Sequence, residues 1–269
     1  HQAREGDHQA ERQELQGDEG QHAAVDRGGG DPGGRHAAQV EQRKPEGRRQ
    51  ERGLQVHGQH HAVPDQLRVG EAQGAGRGHE QGQQVRIRAV FHEPDPNFKY
   101  EILITPKMSF GTGHHETTSL MVEHQLGISH QNKRVLDAGC GTGVLAIMAH
   151  FLGATNIEAF DNDDWAVENT KENIDLNQCN HINAYLGTIE SVDTNKRFDI
   201  LLANINRNVL LKDIPSYAHL LVKNGYLLLS GFYESDVDDI SAVTQSNGLE
   251  MVSKKSKNNW VSLVCKKLN

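Results

Sequence analysis

The chain changes character abruptly between residues 84 and 85, and that break limits where a folded core can form. Residues 1–84 contain no Ile, Phe, Tyr, Trp, Met, Cys, Ser, Thr or Asn. They are built from Gln, Gly, Arg, His, Glu, Ala and Asp, with a few Val, Leu and Pro. The apolar area such a segment can bury falls far short of the entropy lost on ordering it. From Val85 onward all the missing residue types appear, and these 185 residues suffice for one well-buried core.

Apart from Lys44, every residue in 1–84 is of a type that a codon beginning with C or G can encode. Ordinary usage would place only roughly half to 60% of residues in such types. We therefore expect 1–84 to be a spurious or chimaeric segment, as an antisense frame of a GC-rich gene would produce. A natural disordered Gln/Gly/His/Arg arm is the alternative. The expected division is thus 1–84, low-complexity, and 85–269, a folded domain.

The formal charge of −8 divides into −3 over 1–84 and −5 over the remainder, so neither part has the basic excess of a protein that grips nucleic acid by itself. Three widely spread cysteines, Cys140, Cys179 and Cys265, fit reduced thiols in a cytoplasm better than a disulfide framework. No apolar run approaches the ~18 residues of a membrane span, and no signal-peptide core is present.

Residues 85–104 read as two short alternating segments around a turn at Pro94 and Pro96. A helix over "TTSLMVEHQLG" should end at Gly127. Strands and helices then alternate: "KRVLDAG", "NIEAF", "HINAYLG", "FDILLANI" and "GYLLLSG" as strands, with apolar or amphipathic helices between and after them. In "DWAVENTKENIDLN" the cap is Asp163 or Asp164, and Trp165 is expected to pack rather than to stack on a base. "LEMVSKKSK" and "NWVSLVCKK", joined at Asn258-Asn259, form a closing antiparallel pair. Such an order implies an α/β doubly wound fold whose seven-stranded, mostly parallel sheet carries an antiparallel last strand.

In such a sheet, ligands bind beyond the carboxyl ends of the strands, where strand order reverses. "LDAGCGTG" (Leu136–Gly143) sits at the first of these ends. It misses the dinucleotide fingerprint, because the sixth position from Gly139 is Val144, and it has no P-loop lysine after Gly143. Asp137 beside the loop is a poor neighbour for a diphosphate and a good one for a cation. S-adenosylmethionine meets these constraints, with its sulfonium and ammonium near Asp137 and close backbone approach at Gly139, Gly141 and Gly143. Its ribose diol would be taken by Asp161, 22 residues after Gly139 at the end of the next strand. The competing readings are a helix cap for Asp161 and a mere tight turn for the glycines. "HHETT" lacks the second histidine of H-E-x-x-H, since position 119 is serine, so His114 and His115 are read as loop residues and no metal is expected.

"FGTGHHETT", "LDAGCGTGVLAI", "AFDND" and "LLANI", in that order, resemble the ribosomal protein L-eleven methyltransferase family from about Val85 to the C terminus. The first motif is the specific one; the glycine loop alone marks only the broad seven-stranded, Rossmann-like class I methyltransferases. The resemblance implies that the FGTG loop closes over S-adenosylmethionine and that Thr118, Gly139, Asp161 and Asn204 contact it. It also implies that the acceptor is a lysine or N-terminal amine of a large-subunit ribosomal protein, and that an amino-terminal α+β domain recognises it. Nothing in 1–84 resembles such a domain. Asn204 ends a buried strand facing the ligand, where it can accept a hydrogen bond from the amine without acting as a base; otherwise it is a strand-end turn residue. No general base is identified. The alternatives are a class I methyltransferase for another amine or a small molecule, and an inactive binding remnant without its recognition domain.

Overall fold

A computed structural model describes the backbone of residues 66–69 and, in full, residues 84–105 and 116–268, with the backbone of His115. All of them belong to one compact unit, Gly58–Asn269. Most of the segment 1–84, and the loop residues Phe110–His114, lie outside the described residues.

Two sheets share this unit. The smaller has the order β1-β2-β3, with β1 Gln66–Val69, β2 Val85–Ala89 and β3 Tyr100–Ile104. The two alternating segments expected over 85–104 are β2 and β3, and they run parallel. Their connection is held by buried arginines. Arg86 donates to the Glu93 carbonyl at 2.9 Å and Arg88 to the His92 carbonyl at 2.6 Å, while Glu101 pairs with both guanidinium groups. β1 pairs antiparallel with β2, Val69 opposite Val85, so one strand precedes the compositional break at 85. Strand pairing draws on backbone donors and acceptors, which "QLRV" supplies although the segment around it is apolar-poor.

The larger sheet has the order β6-β5-β4-β7-β8-β10-β9. Its strands are β4 Arg134–Ala138, β5 Asn156–Asp161, β6 Ile182–Leu186, β7 Phe198–Asn204, β8 Leu221–Tyr233, β9 Leu249–Lys257 and β10 Trp260–Lys267. The first five are parallel, and β10 is antiparallel to both β8 and β9. Asn258 and Asn259, at φ 49 and 68, make the tight hairpin turn that needs two left-handed residues. β8 runs longer than its "GYLLLSG" segment because it starts directly where the preceding helix ends.

Helices α1 His115–Leu126, α2 Val144–Phe151 and α3 Asp164–Leu176 pack on one face; α4 Arg207–Leu220 and α5 Val237–Ser246 cover the other. Met121, Ile147, Val135 and Ile200 sit in the first core, which also takes Val85, Ile87 and Ile102 from the small sheet. Leu201, Leu210, Ile214 and Leu263 sit in the second. α2 is apolar all round because it is covered on every side: Val144 through Ala149 are all buried. Asparagines in α3 and at its C-cap dock β3: Asn177 accepts from Leu103 N–H at 2.9 Å and Asn173 from Thr105 N–H at 2.8 Å. Asn173 also donates to the Thr142 carbonyl at 2.8 Å, which ties the end of β3 to the glycine loop.

Candidate active site

Strand order reverses between β4 and β7, and a cavity of about 540 Å³ opens beyond their carboxyl ends. Its base is the turn from β4 into α2. Gly139, Gly141 and Gly143 all have left-handed φ (69, 55 and 77). At Gly139 a side chain is excluded twice over, by φ and by a Cβ position 2.3 Å from Ile205 Cγ2. Gly231, across the cleft on β8, is held likewise, its Cβ position being 2.2 Å from the Ile205 carbonyl oxygen. Ile205 thus fills the space that a side chain would need at both glycines, and their backbone lines the cavity.

Asp161 closes β5 and lines the cavity. Its Oδ2 accepts the Gly141 N–H at 2.9 Å and its Oδ1 the Asp163 N–H at 3.1 Å. The cap of α3 is Asp163, which accepts from Trp165 N–H at 3.0 Å, so Asp161 does not serve as the cap. Thr118 on α1 and Asn204 at the end of β7 also line the cavity, with Gly139 and Gly141. Next to Asn204, Asn206 caps α4 through an accepted bond from Val209 N–H at 3.2 Å.

Asp137 is placed differently from the other sequence-derived candidates. It lies under the glycine loop, 1% exposed, and is not in the cavity wall. One oxygen accepts the Ala146 N–H at 3.1 Å and so ties β4 to the first turn of α2; Oδ1 has no partner. Burial, reinforced by the nearby Asp161 charge and opposed by the Ala146 bond, pushes its pKa up to about 7. A cation above the loop would act on this carboxylate through the intervening backbone, with no direct contact.

The cavity has further walls with no sequence signal of their own. Phe160, Thr188 and Ile189 form one side and Trp260 another. Asp213 and Tyr217 enter from α4. Trp260 contacts Tyr233 in a tilted ring pair, with centroids 4.1 Å apart and planes at 35°. Trp165, expected to pack, is 63% exposed and outside the cavity wall, in a first turn of α3 where Asp164 is exposed as well. His114 and the His115 side chain lie outside the described residues, among which no group of His, Cys, Asp or Glu is arranged to hold a metal ion. The three cysteines are free and buried. No helix among the described residues is long and apolar enough to cross a membrane.

The family described as ribosomal protein L11 methyltransferase (PrmA) matches this sequence over residues 78–268. The chain belongs to the L11 methyltransferase family. It is 46% identical over 177 residues to the ribosomal protein L11 methyltransferase of Porphyromonas gingivalis and 44% identical over 182 residues to that of Phocaeicola vulgatus. These matches take in 66% and 68% of this chain but 61% and 65% of the relatives, so the chain spans somewhat under two thirds of their length. A solved ribosomal protein L11 methylase from Lactobacillus delbrueckii subsp. bulgaricus superimposes with a TM-score of 0.67 at 25% identity, covering 77% of this chain and all of that one. The L11 methyltransferase match starts shortly before the compositional break, at residue 78.

Proposed function

We propose that the chain transfers methyl groups from S-adenosylmethionine to lysine side chains or an N-terminal amine of a large-subunit ribosomal protein, in the cytoplasm, with residues 85–269 as the catalytic domain. The observation that carries this reading is the cavity at the β4–β7 reversal, where Gly139, Gly231 and Asp161 bring bare backbone and one carboxylate together in a chain of this family.

The residues present fit the methyl donor. Asp161 presents a carboxylate where a ribose diol can be met, the glycine turn lines the cavity with bare backbone, and buried Asp137 offers a negative field to a cation. Thr118 and Gly141 complete the wall on the side of α1 and α2. When bound, S-adenosylmethionine supplies an activated methyl group on a sulfonium. The protein's own contribution is alignment and exclusion of water.

An acceptor lysine must first lose a proton. With a pKa near 10.4, unmasking its lone pair at pH 7 costs about 4.6 kcal/mol. Asn204, at the cavity edge, has a side-chain carbonyl that can accept from the amine and orient it, and it has no pKa with which to act as a base.

A second reading is a binding remnant that holds the donor without methylating the protein acceptor. Incubating the full chain with isotopically labelled S-adenosylmethionine and ribosomal protein L11, followed by intact-mass measurement, separates the two. Mass gains in steps of one methyl group support transfer; donor binding with no mass gain supports the remnant.

A further inference from the structure

The backbone of the glycine turn is gripped from β5 and α3, and the grip leaves one donor over. Gly139 and Cys140 both donate N–H to the Phe160 carbonyl, at 2.9 and 3.0 Å, and Gly143 donates to the Cys140 carbonyl at 2.7 Å. Gly141 is held at both ends. Asp161 takes its N–H at 2.9 Å, and the Thr170 hydroxyl of α3 donates to its carbonyl at 2.7 Å. The next carbonyl, that of Thr142, accepts from Asn173, one turn further along α3, at 2.8 Å. Of the N–H groups from Gly139 to Gly143, that of Thr142 alone has no acceptor among the described residues.

Peptide planarity fixes where that donor points. In a trans peptide the Gly141 carbonyl and the Thr142 N–H face opposite ways. The carbonyl is drawn to Thr170, so the N–H is turned away from α3, on a residue that lines the cavity. The Gly143–Cys140 bond closes a tight turn with Gly141 at φ 55 in its second position and Thr142 at negative φ, the pattern of type II′. Turning the central peptide over would present the carbonyl to the cavity and require positive φ at Thr142 too, as in type I′. A β-branched residue resists that angle. The fully buried Thr170 side chain has two separable parts. Its methyl group fills the space beside Gly143, where a Cβ would lie 2.9 Å from Cγ2, and its hydroxyl holds the Gly141 carbonyl.

We propose that Thr170 is a positioning residue for the methyl donor. Its hydroxyl fixes the Gly141–Thr142 peptide with the N–H toward the cavity, and the branched Thr142 bars the reverse. This rests on the reading of the cavity as an S-adenosylmethionine site. That molecule carries hydroxyl and carboxylate oxygens, which a backbone N–H attracts and a carbonyl oxygen in the same place would not.

The test is calorimetric binding of S-adenosylhomocysteine to the full chain, in variants that part the methyl from the hydroxyl, with urea unfolding measured alongside. Thr170→Val keeps the shape and loses the hydroxyl, and it should bind about tenfold more weakly, the scale of one hydrogen bond. Thr170→Ser keeps the hydroxyl and should bind like the wild type, while the lost methyl group lowers the urea midpoint. Thr142 supplies a second arm should Thr170→Val fail to fold. Thr142→Gly frees φ and should weaken the ligand severalfold, whereas the branched Thr142→Val should not. Equal affinities in Thr170→Val and Thr170→Ser, or in Thr142→Gly and Thr142→Val, would overturn the proposal and leave Thr170 a packing residue. A wild type that binds no S-adenosylhomocysteine would overturn the donor-site reading beneath it as well.

Discussion

Asp161 and Gly141 are joined by a 2.9 Å hydrogen bond from the loop N–H to Oδ2 of the carboxylate, across the gap between β5 and the glycine turn. One acidic side chain thus shapes the loop and faces the cavity. Its other oxygen accepts the Asp163 N–H, which sets the path of the chain into α3.

Replacing Asp161 by Ala removes both bonds and the carboxylate offered to the ribose. We expect S-adenosylmethionine affinity to fall by about 1.5–3 kcal/mol, the scale of a lost charged hydrogen bond. Calorimetry on the variant checks this; unchanged affinity would remove Asp161 from the site.

Gly139→Ala places a methyl group against Ile205 Cγ2 in a left-handed backbone position. Both effects oppose folding, and destabilisation should exceed about 1 kcal/mol. Urea unfolding measures it. A second substitution, Ile205→Ala, should restore part of the loss by clearing the contact, and no restoration would mean that the backbone angle alone is responsible.

Asn204→Ala should lower the methylation rate more than it lowers donor affinity if the side chain orients the amine. Equal losses would make it a donor contact, and no loss a turn residue. Single-turnover kinetics beside calorimetry distinguishes the three.

Asp137 gives the fold a pH dependence. Its pKa, raised to about 7 by burial, lies above that of the unfolded chain, so the folded state holds this proton more tightly. The resulting stability is fully present below the unfolded carboxyl pKa near 3.9 and is lost as pH rises through about 7. Asp137→Asn should flatten this slope, with the variant gaining on the wild type between about pH 4 and 7 in urea midpoints. A wild-type slope that survives the substitution would place its origin in another group.

What the sequence determined by itself follows from local rules. Alternation of apolar strands and capped helices implied a parallel sheet, the Asn258-Asn259 pair implied the last hairpin, and three glycines after an apolar strand located the cleft. Those features depend on periodicity and backbone angle, which neighbouring residues carry. Tertiary packing decided the rest. Asp137 and Asp161 look alike in sequence, each an acid near the end of an apolar strand, yet only Asp161 faces the cavity, because the first turn of α2 folds over Asp137 and claims its oxygen. Asp213, Tyr217 and Trp260 belong to the cavity only because α4 and β10 are packed around it, and Trp165 is exposed because no element packs over the first turn of α3 at that side chain. A side chain's neighbours across a sheet are set by how elements pack, and that information is spread over the whole core rather than written beside the residue.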